Sequence, residues 1–454
     1  MKQLLHYIVY HIYNSISKNK CNFSSPLSLG EGSGVRLLLL LLLFSTTLSA
    51  QQPHLSRETY RDRVENYSQV LKQQRLNTIA SREGRKIAST GFLPQIDLTA
   101  EGTLNLKELD AWDGPAGEYR NHTYQGLFVV AQPLYTGGAL QAQQSIAKAD
   151  EQLSRLGEEM TLDQIHYQSD AVYWNASAAR AMMEAAEQYL EVVQKQYDII
   201  QDRFEDGMIS RTDLLMISTR RKEAELQYIN ARQNYTLSLQ KLNILMGEEP
   251  NAPVDSLCAI GVVCPAVTLL PLDDVLQRRA DYASTEVNIL KSEAQRKAAL
   301  SQYNPEVNMF VTGGWSTASP NMGFDVKFTP ILGMNVNIPL FRWGARFKTS
   351  RQQKAYIGIQ KLQQSYVTDK IKEELAAALT KLEETEYQVK TAEENKELAE
   401  ENLDLATFSY NEGKASMVDV LSAQLSWTQA HTSLINAYLA AKMAVAEYRK
   451  VISE

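Results

Sequence analysis

The chain states one design twice. Pro133-Leu134-Tyr135-Thr136-Gly137-Gly138 returns 206 residues later as Pro339-Leu340-Phe341-Arg342-Trp343-Gly344. Phe204-Glu205-Asp206-Gly207 returns as Tyr410-Asn411-Glu412-Gly413, and Asp213-Leu214-Leu215 as Asp419-Val420-Leu421, at the same offset. The distance from each proline turn to each glycine is therefore equal in the two copies. Solenoid units run roughly 20 to 50 residues, so a period near 200 means two copies of one large unit.

The pattern divides the chain into an export segment at 1–50, a first repeat at 51–247, a linker at 248–271 and a second repeat at 272–454. Leu37 to Leu43 with Phe44, then Ser45 to Ala50, make a short apolar run ending in small residues, which suits a cleaved signal. A membrane helix needs about 20 apolar residues. The leader before Arg36 is long, so the true start can lie downstream of Met1. Cleavage after Ala50 removes Lys2, Lys18, Lys20, Arg36 and Glu31, leaving 42 basic and 52 acidic residues and a net charge of −10. That balance argues against a nucleic-acid partner, which favours a basic face. Export also places Cys258 and Cys264 in an oxidising compartment, where a small disulfide loop and two thiols are both open readings.

Each repeat reads as helix, two strands, long helix, turn and helix. The first is expected as a helix over 56–90, strands over 94–108 and 122–135, and a proline-free rod over 138–202. The second is expected as a helix over 272–302, strands over 305–317 and 324–340, and a rod over 345–409. In that rod one heptad track is Ile371, Ala378, Thr385, Ala392, Ala399 and Ala406, and the other is Leu375, Leu382, Val389, Lys396, Leu403 and Tyr410. This is coiled-coil periodicity, and about 65 helical residues reach roughly 100 Å.

Strands decide whether such rods build a filament or the wall of a tube. Ile96, Leu98, Ala100, Leu104 and Leu106 alternate with Gln95, Asp97, Thr99, Thr103 and Asn105. Leu332, Met334, Val336, Ile338 and Leu340 alternate with Gly333, Asn335 and Asn337. Each run matches a membrane-spanning strand in length, and no globular sequence surrounds it to cover the apolar side. A half-buried soluble sheet gives the same alternation, and beside it membrane lipid is the expected solvent of that side. Four strands cannot close a barrel, and open edges are not tolerated in lipid. Several protomers must share one wall; two copies give eight strands and three give twelve.

Past each rod lies a turn. Gly207 and Gly413 stand where a helix ends in a left-handed residue. Ser210-Arg211-Thr212-Asp213 and Ser416-Met417-Val418-Asp419 both fit a capping box, in which the serine accepts a backbone N–H and the carboxylate reaches back. Well-made helix hairpins explain these residues, and a further role for Asp213 and Asp419 stays open beside that reading.

Paired strands, long rods, Pro-Leu-aromatic turns at Pro133–Gly138 and Pro339–Gly344, and glycine followed six residues later by Asp-Leu or Asp-Val together resemble the TolC-type outer-membrane efflux proteins. The resemblance covers essentially the whole exported chain. It implies a mainly α protein with a membrane β-barrel portion, a homotrimer whose twelve strands continue into a long periplasmic α-helical barrel. It implies a passive, gated duct in the outer membrane serving a tripartite efflux pump or a type I secretion system, with a periplasmic adaptor and an inner-membrane pump as partners. It places Asp213, Asp419 and Tyr410 at the constriction, with a Tyr410–Asp213 hydrogen bond in the closed form. Adaptor docking is implied at Gly207, Met208, Ile209 and Ser210 and at Gly413, Lys414, Ala415 and Ser416. Two departures concern the latch. Ala415 stands where the best-known member has an arginine and Ser422 where a second aspartate can stand, with Arg211 a candidate substitute.

No constellation for catalysis is present, and no cofactor or metal is expected: the six histidines are scattered and no Cys/His metal spacing occurs. The rival reading is an exported coiled-coil scaffold or adhesin stalk, which has no use for long amphipathic strands in matched pairs.

Overall fold

A computed structural model describes residues 54–104, 106, 122–261, 268–316 and 327–454. The expected export segment and Cys264, hence the disulfide reading, lie outside the described residues; Cys258 is half-buried. In chain order the elements are β1 (His54–Leu55), α1 (Arg57–Tyr67), α2 (Gln69–Thr90), β2 (Gln95–Leu104), β3 (His122–Tyr135), α3 (Ala139–Glu205), α4 (Arg211–Met246) and β4 (Ser256–Leu257). They continue as α5 (Leu272–Arg278), α6 (Ala280–Ser301), β5 (Glu306–Ser316), β6 (Lys327–Asn337), α7 (Ala345–Asn411) and α8 (Met417–Val451).

Both rods, α3 and α7, are 67 residues long, about 100 Å at 1.5 Å per residue. Every one of the twelve heptad positions on α7 is buried or half-buried, and most positions between them are exposed. Alanine at four of these positions allows close approach of the neighbouring helix, and Ala378 is 1% exposed.

Two expected helices are each broken once. Residues 56–90 divide at Ser68, whose hydroxyl caps α2 by accepting the Leu71 N–H at 3.3 Å, a local bond that competes with helix continuation. Residues 272–302 divide at Arg279, extended at φ −72° and ψ 117°, which frees its guanidinium to meet Asp281 at 2.9 Å and Glu374 at 3.0 Å. β6 stops short of its expected end, at Asn337, and β2 is described as far as Leu104, most of its expected remainder lying outside the described residues. Pro339 lies just past β6; it has no N–H to give a ladder and restricts the residue before it. Within the linker, β4 pairs in parallel with β1, an element the sequence reading did not include. That pair is held by Tyr173, whose hydroxyl donates to the Leu55 carbonyl at 2.7 Å and accepts from the Cys258 N–H at 3.0 Å. Around it Tyr60, Trp174, Leu242 and Leu257 form the buried midsection.

From the midsection toward the strands the helices lie side by side as α2–α3–α6–α7, and toward the other end as α4–α3–α8–α7. The lateral edges of the protomer are thus α7 on one side and α2 with α4 on the other. Large apolar side chains are exposed along both: Ile87 on α2, Leu226 and Leu237 on α4, and Leu362, Leu398 and Phe408 on α7. Exposed apolar patches of this extent mark an interface.

The four long strands form one antiparallel sheet in the order β2-β3-β5-β6. Its register aligns Ile96, Val130, Val311 and Leu332 in one cross-strand row and Leu98, Phe128, Gly313 and Pro330 in the next. On the opposite face a row joins Asp97, Val129, Thr312 and Ile331, and the Gln125 amide donates to Glu101 at 2.6 Å. The aliphatic face is bare in the protomer, with Ile96 73% and Leu332 72% exposed. At 3.4 Å per residue the 11 residues of β6 reach about 37 Å. Tilted by about 40°, that spans the roughly 25 Å apolar band of a barrel. Aromatic side chains bracket the band: Trp315 packs edge-on to Phe328 at 5.2 Å near the loop end, and Phe341 to Trp343 at 5.0 Å beyond β6. No helix among the described residues is long and apolar enough to cross a membrane.

Candidate functional site

Far from the sheet, the two rods end in matching hairpins. Gly207 and Gly413 both take φ +73° with open space where a Cβ would sit, and each reverses the chain into α4 or α8. The two starts differ in detail. At Ser416 the capping box is complete: the Ser416 N–H and hydroxyl donate to Asp419 Oδ2 at 2.8 and 2.7 Å, and Ser416 Oγ accepts the Asp419 N–H. These bonds, the serine hydroxyl's first, hold the exposed Asp419 carboxyl below its ordinary range. At Ser210 the box is half made. The hydroxyl accepts the Asp213 N–H at 3.2 Å and donates to Asp213 Oδ2 at 2.9 Å, and the carboxylate takes no backbone N–H of Ser210. Asp213 is half-buried while Asp419 is exposed.

An apolar cluster of Val193, Ile200, Ile217, Met417 and Trp427 seats the two hairpins against each other, with Ile209, Leu214, Leu421 and Tyr410 packed on its margin. Tyr189 stacks on Trp427 within it at 6.0 Å. Tyr410 therefore does what its heptad position requires. Its phenol is also pushed upward, first by burial and then by the charge of Asp213, with Arg203 acting the other way. No hydrogen bond joins Tyr410 to Asp213 among the described residues. The tip residues Met208, Lys414 and Ser416 are exposed, and Ile209 and Ala415 are half-buried.

A family model described as outer membrane efflux protein matches residues 61–248 and 272–453. The chain belongs to the outer membrane efflux protein family. The family forms trimeric channels, and the sheet edges β2 and β6 and the helix edges α2, α4 and α7 are the edges left open in the protomer. Three four-stranded sheets then make a barrel of twelve strands. The channel lies in the outer membrane and extends into the periplasm, and the scaffold reading is set aside. A curated relative, nodulation protein T of Rhizobium leguminosarum bv. trifolii, is 25% identical over 244 residues, 52% of this chain and 51% of the relative. The chain thus spans about half the length of that relative. Two solved outer-membrane proteins share the fold. The CmeC outer membrane channel of Campylobacter jejuni is 17% identical, with a TM-score of 0.76 over 87% of this chain and 85% of that one. VceC of Vibrio cholerae is 16% identical, with a TM-score of 0.74 over 87% of this chain and 96% of that one.

The strand-to-rod turns of this efflux-family chain are built from the duplicated proline motif. Gly138 and Gly344 cap the rods at φ +93° and +70°. Just before them Gly137 stands at φ +65°, where a Cβ would lie 2.6 Å from the Ser301 carbonyl oxygen. Its counterpart Trp343 takes the same left-handed region at φ +48° and is 84% exposed. Pro133 sits at a bulge where the β3–β5 register slips.

Sequence reasoning did not anticipate two contacts between the repeats. Arg203 Nη2 donates to Asn411 Oδ1 at 3.1 Å, and the buried Gln424 donates to Gln196. Arg211 has no hydrogen bond or ion pair among the described residues, while Lys414 pairs with Glu412 at 3.9 Å. Among the described residues no cluster of His, Cys, Asp and Glu could hold a metal ion.

Proposed function

We propose that this efflux channel is the passive exit duct of a tripartite pump or a type I secretion system, gated at its periplasmic hairpins by Asp213, Asp419 and Tyr410. The observation that supports it is the convergence of both rods on hairpins that carry an aspartate in the first turn of α4 and again in that of α8. On this reading three protomers bring six carboxylates to one end of the tube, where they favour cations and resist closure unless partnered. Tyr410 packs on the margin of the apolar cluster that seats the two hairpins, and the charge of Asp213 acts on its phenol; in the closed state of this reading the phenol donates to that carboxylate. A hydrogen bond to a charged group contributes roughly 1.5–3 kcal/mol, an amount that docking of a periplasmic adaptor on Met208, Ile209, Lys414 and Ala415 can offset.

Single-channel recording of the purified trimer tests this reading. Asp213→Ala and Tyr410→Phe should raise conductance in planar bilayers, and a parent-like conductance in both variants removes the gate. Cysteine cross-linking from Met208 and Lys414 to an adaptor encoded beside this chain checks the docking surface; its absence in intact cells counts against the tips.

A further inference from the structure

We propose that Arg203 is the positioning residue of this gate, tying the two hairpins of one protomer together through Asn411 and so setting Tyr410 against Asp213. The inference rests on the gate reading above and names a residue outside it. Arg203 is half-buried in the last turn of α3, and its guanidinium crosses to the Asn411 amide oxygen at the end of α7, 3.1 Å away. The side chain also lies close enough to Tyr410 to counter the effect of Asp213 on the phenol. Tyr410 thus takes opposing electrostatic influences from a cation at the end of one rod and an anion in the turn that follows it.

The duplication shows how the tie arose. Counted by the 206-residue offset, Arg203 corresponds to Ser409, Phe204 to Tyr410 and Glu205 to Asn411. Three consecutive positions have diverged so that one copy carries the donor and the other the acceptor and the phenol. A carboxylate like Glu205 opposite Arg203 would form an ion pair; Asn411 gives a hydrogen bond with one charged partner, weaker and easier to release. A second arginine also crosses between the repeats, Arg220 to the Leu421 carbonyl at 3.4 Å. It meets backbone, farther from the tip, so of these two arginine contacts only the Arg203 tie can be removed from either side.

Open probability of single trimers in planar bilayers reads the tie directly. Losing one exposed hydrogen bond of this kind should shift the open-to-closed ratio about five- to tenfold per protomer. Arg203→Ala and Asn411→Ala should each do so, and the double variant should add little to either, because both remove one interaction. Asn411→Asp should lower opening below the parent, with the effect fading in molar salt as the exposed pair is screened. That decrease cannot come from misfolding, and Arg203→Lys should recover part of the parent behaviour. Additive single effects, or an Asn411→Asp channel that opens more, overturn the inference. If Asp213→Ala and Tyr410→Phe open the channel while Arg203→Ala does not, the gate stands and the Arg203 tie falls. If all three leave opening unchanged, the gate itself is lost and the tie with it.

Discussion

Leu332→Arg tests whether lipid is the solvent of the sheet's aliphatic face. Leu332 lies midway along β6, in register with Val311, Val130 and Ile96, and is 72% exposed in the protomer. An arginine at the bilayer midplane on the outside of a barrel costs about 2–4 kcal/mol. Three copies per trimer multiply this to about 6–12 kcal/mol, comparable with the whole stability of an ordinary domain at about 5–15 kcal/mol. The matched control is Thr312→Arg, on the neighbouring strand but on the face shared with Asp97, where the charge meets water. Trimers reconstituted in phospholipid vesicles are titrated with urea and followed by tryptophan fluorescence, to which Trp315 on the aliphatic face contributes. Leu332→Arg should fail to insert or unfold at far lower urea, while Thr312→Arg stays close to the parent. Equal midpoints for the two variants, or a greater loss for Thr312→Arg, would refute the assignment of faces and the membrane barrel built on it.

Three further outcomes follow from the geometry. Gly413→Ala puts a Cβ at φ +73°, where space is open but the backbone is strained, so it should lower stability by about 1–2 kcal/mol in a urea titration without disturbing the trimer. Trp343→Gly relieves a left-handed residue but removes a ring packed on Phe341; it should insert into vesicles less efficiently than Trp343→Phe, and equal insertion would deny the ring an anchoring role. Arg279→Gln removes the charge partner of the half-buried Asp281, which keeps the Tyr282 N–H, and should cost about 1.5–3 kcal/mol near neutral pH. Burial pushes the Asp281 carboxyl up, but the hydrogen bond and charge of Arg279 outweigh it and the net displacement is downward. A lowered carboxyl contributes stability above its unfolded pKa of about 4 and loses it as pH falls through the lower folded value. The gap between parent and variant should therefore narrow below about pH 4, and a gap that persists there rules the ion pair out as its source.

What could be read from the sequence was what repeats with a fixed period. The α7 heptads from Ile371 to Tyr410 hold for all twelve positions, because one apolar stripe along a rod is a property of local spacing. The β6 alternation from Leu332 to Val336 agrees with the observed pairing for the same reason, while its expected continuation at Ile338 and Leu340 lies past the end of the strand. Features that depend on where distant residues meet were not legible. The β1–β4 pair joins two-residue strands about 200 positions apart and carries no periodic signal. The breaks at Ser68 and Arg279 are set by bonds to a capped N–H and to Glu374, not by a proline or glycine. Ser210 and Ser416 present the same Ser-x-x-Asp form, yet only one box closes, since the choice between backbone and hydroxyl donors belongs to the turn's geometry.

That last difference bears on how a duplicated chain can build a moving part. Two identical hairpins in each protomer would give six equivalent tips around the trimer, all held equally and with no reason for one set to shift before the other. Divergence has removed the equivalence. The second hairpin starts with a complete capping box and buries Met417, 2% exposed. The first starts with half a box and leaves Arg211, the Met417 counterpart, exposed without a partner among the described residues. A full reciprocal box fixes the second turn internally, whereas the half-buried Asp213 accepts the Ser210 hydroxyl and no backbone N–H of Ser210. In the proposed gate, the internally fixed hairpin is the one suited to move as a unit, and the less fully capped one supplies the carboxylate it would meet.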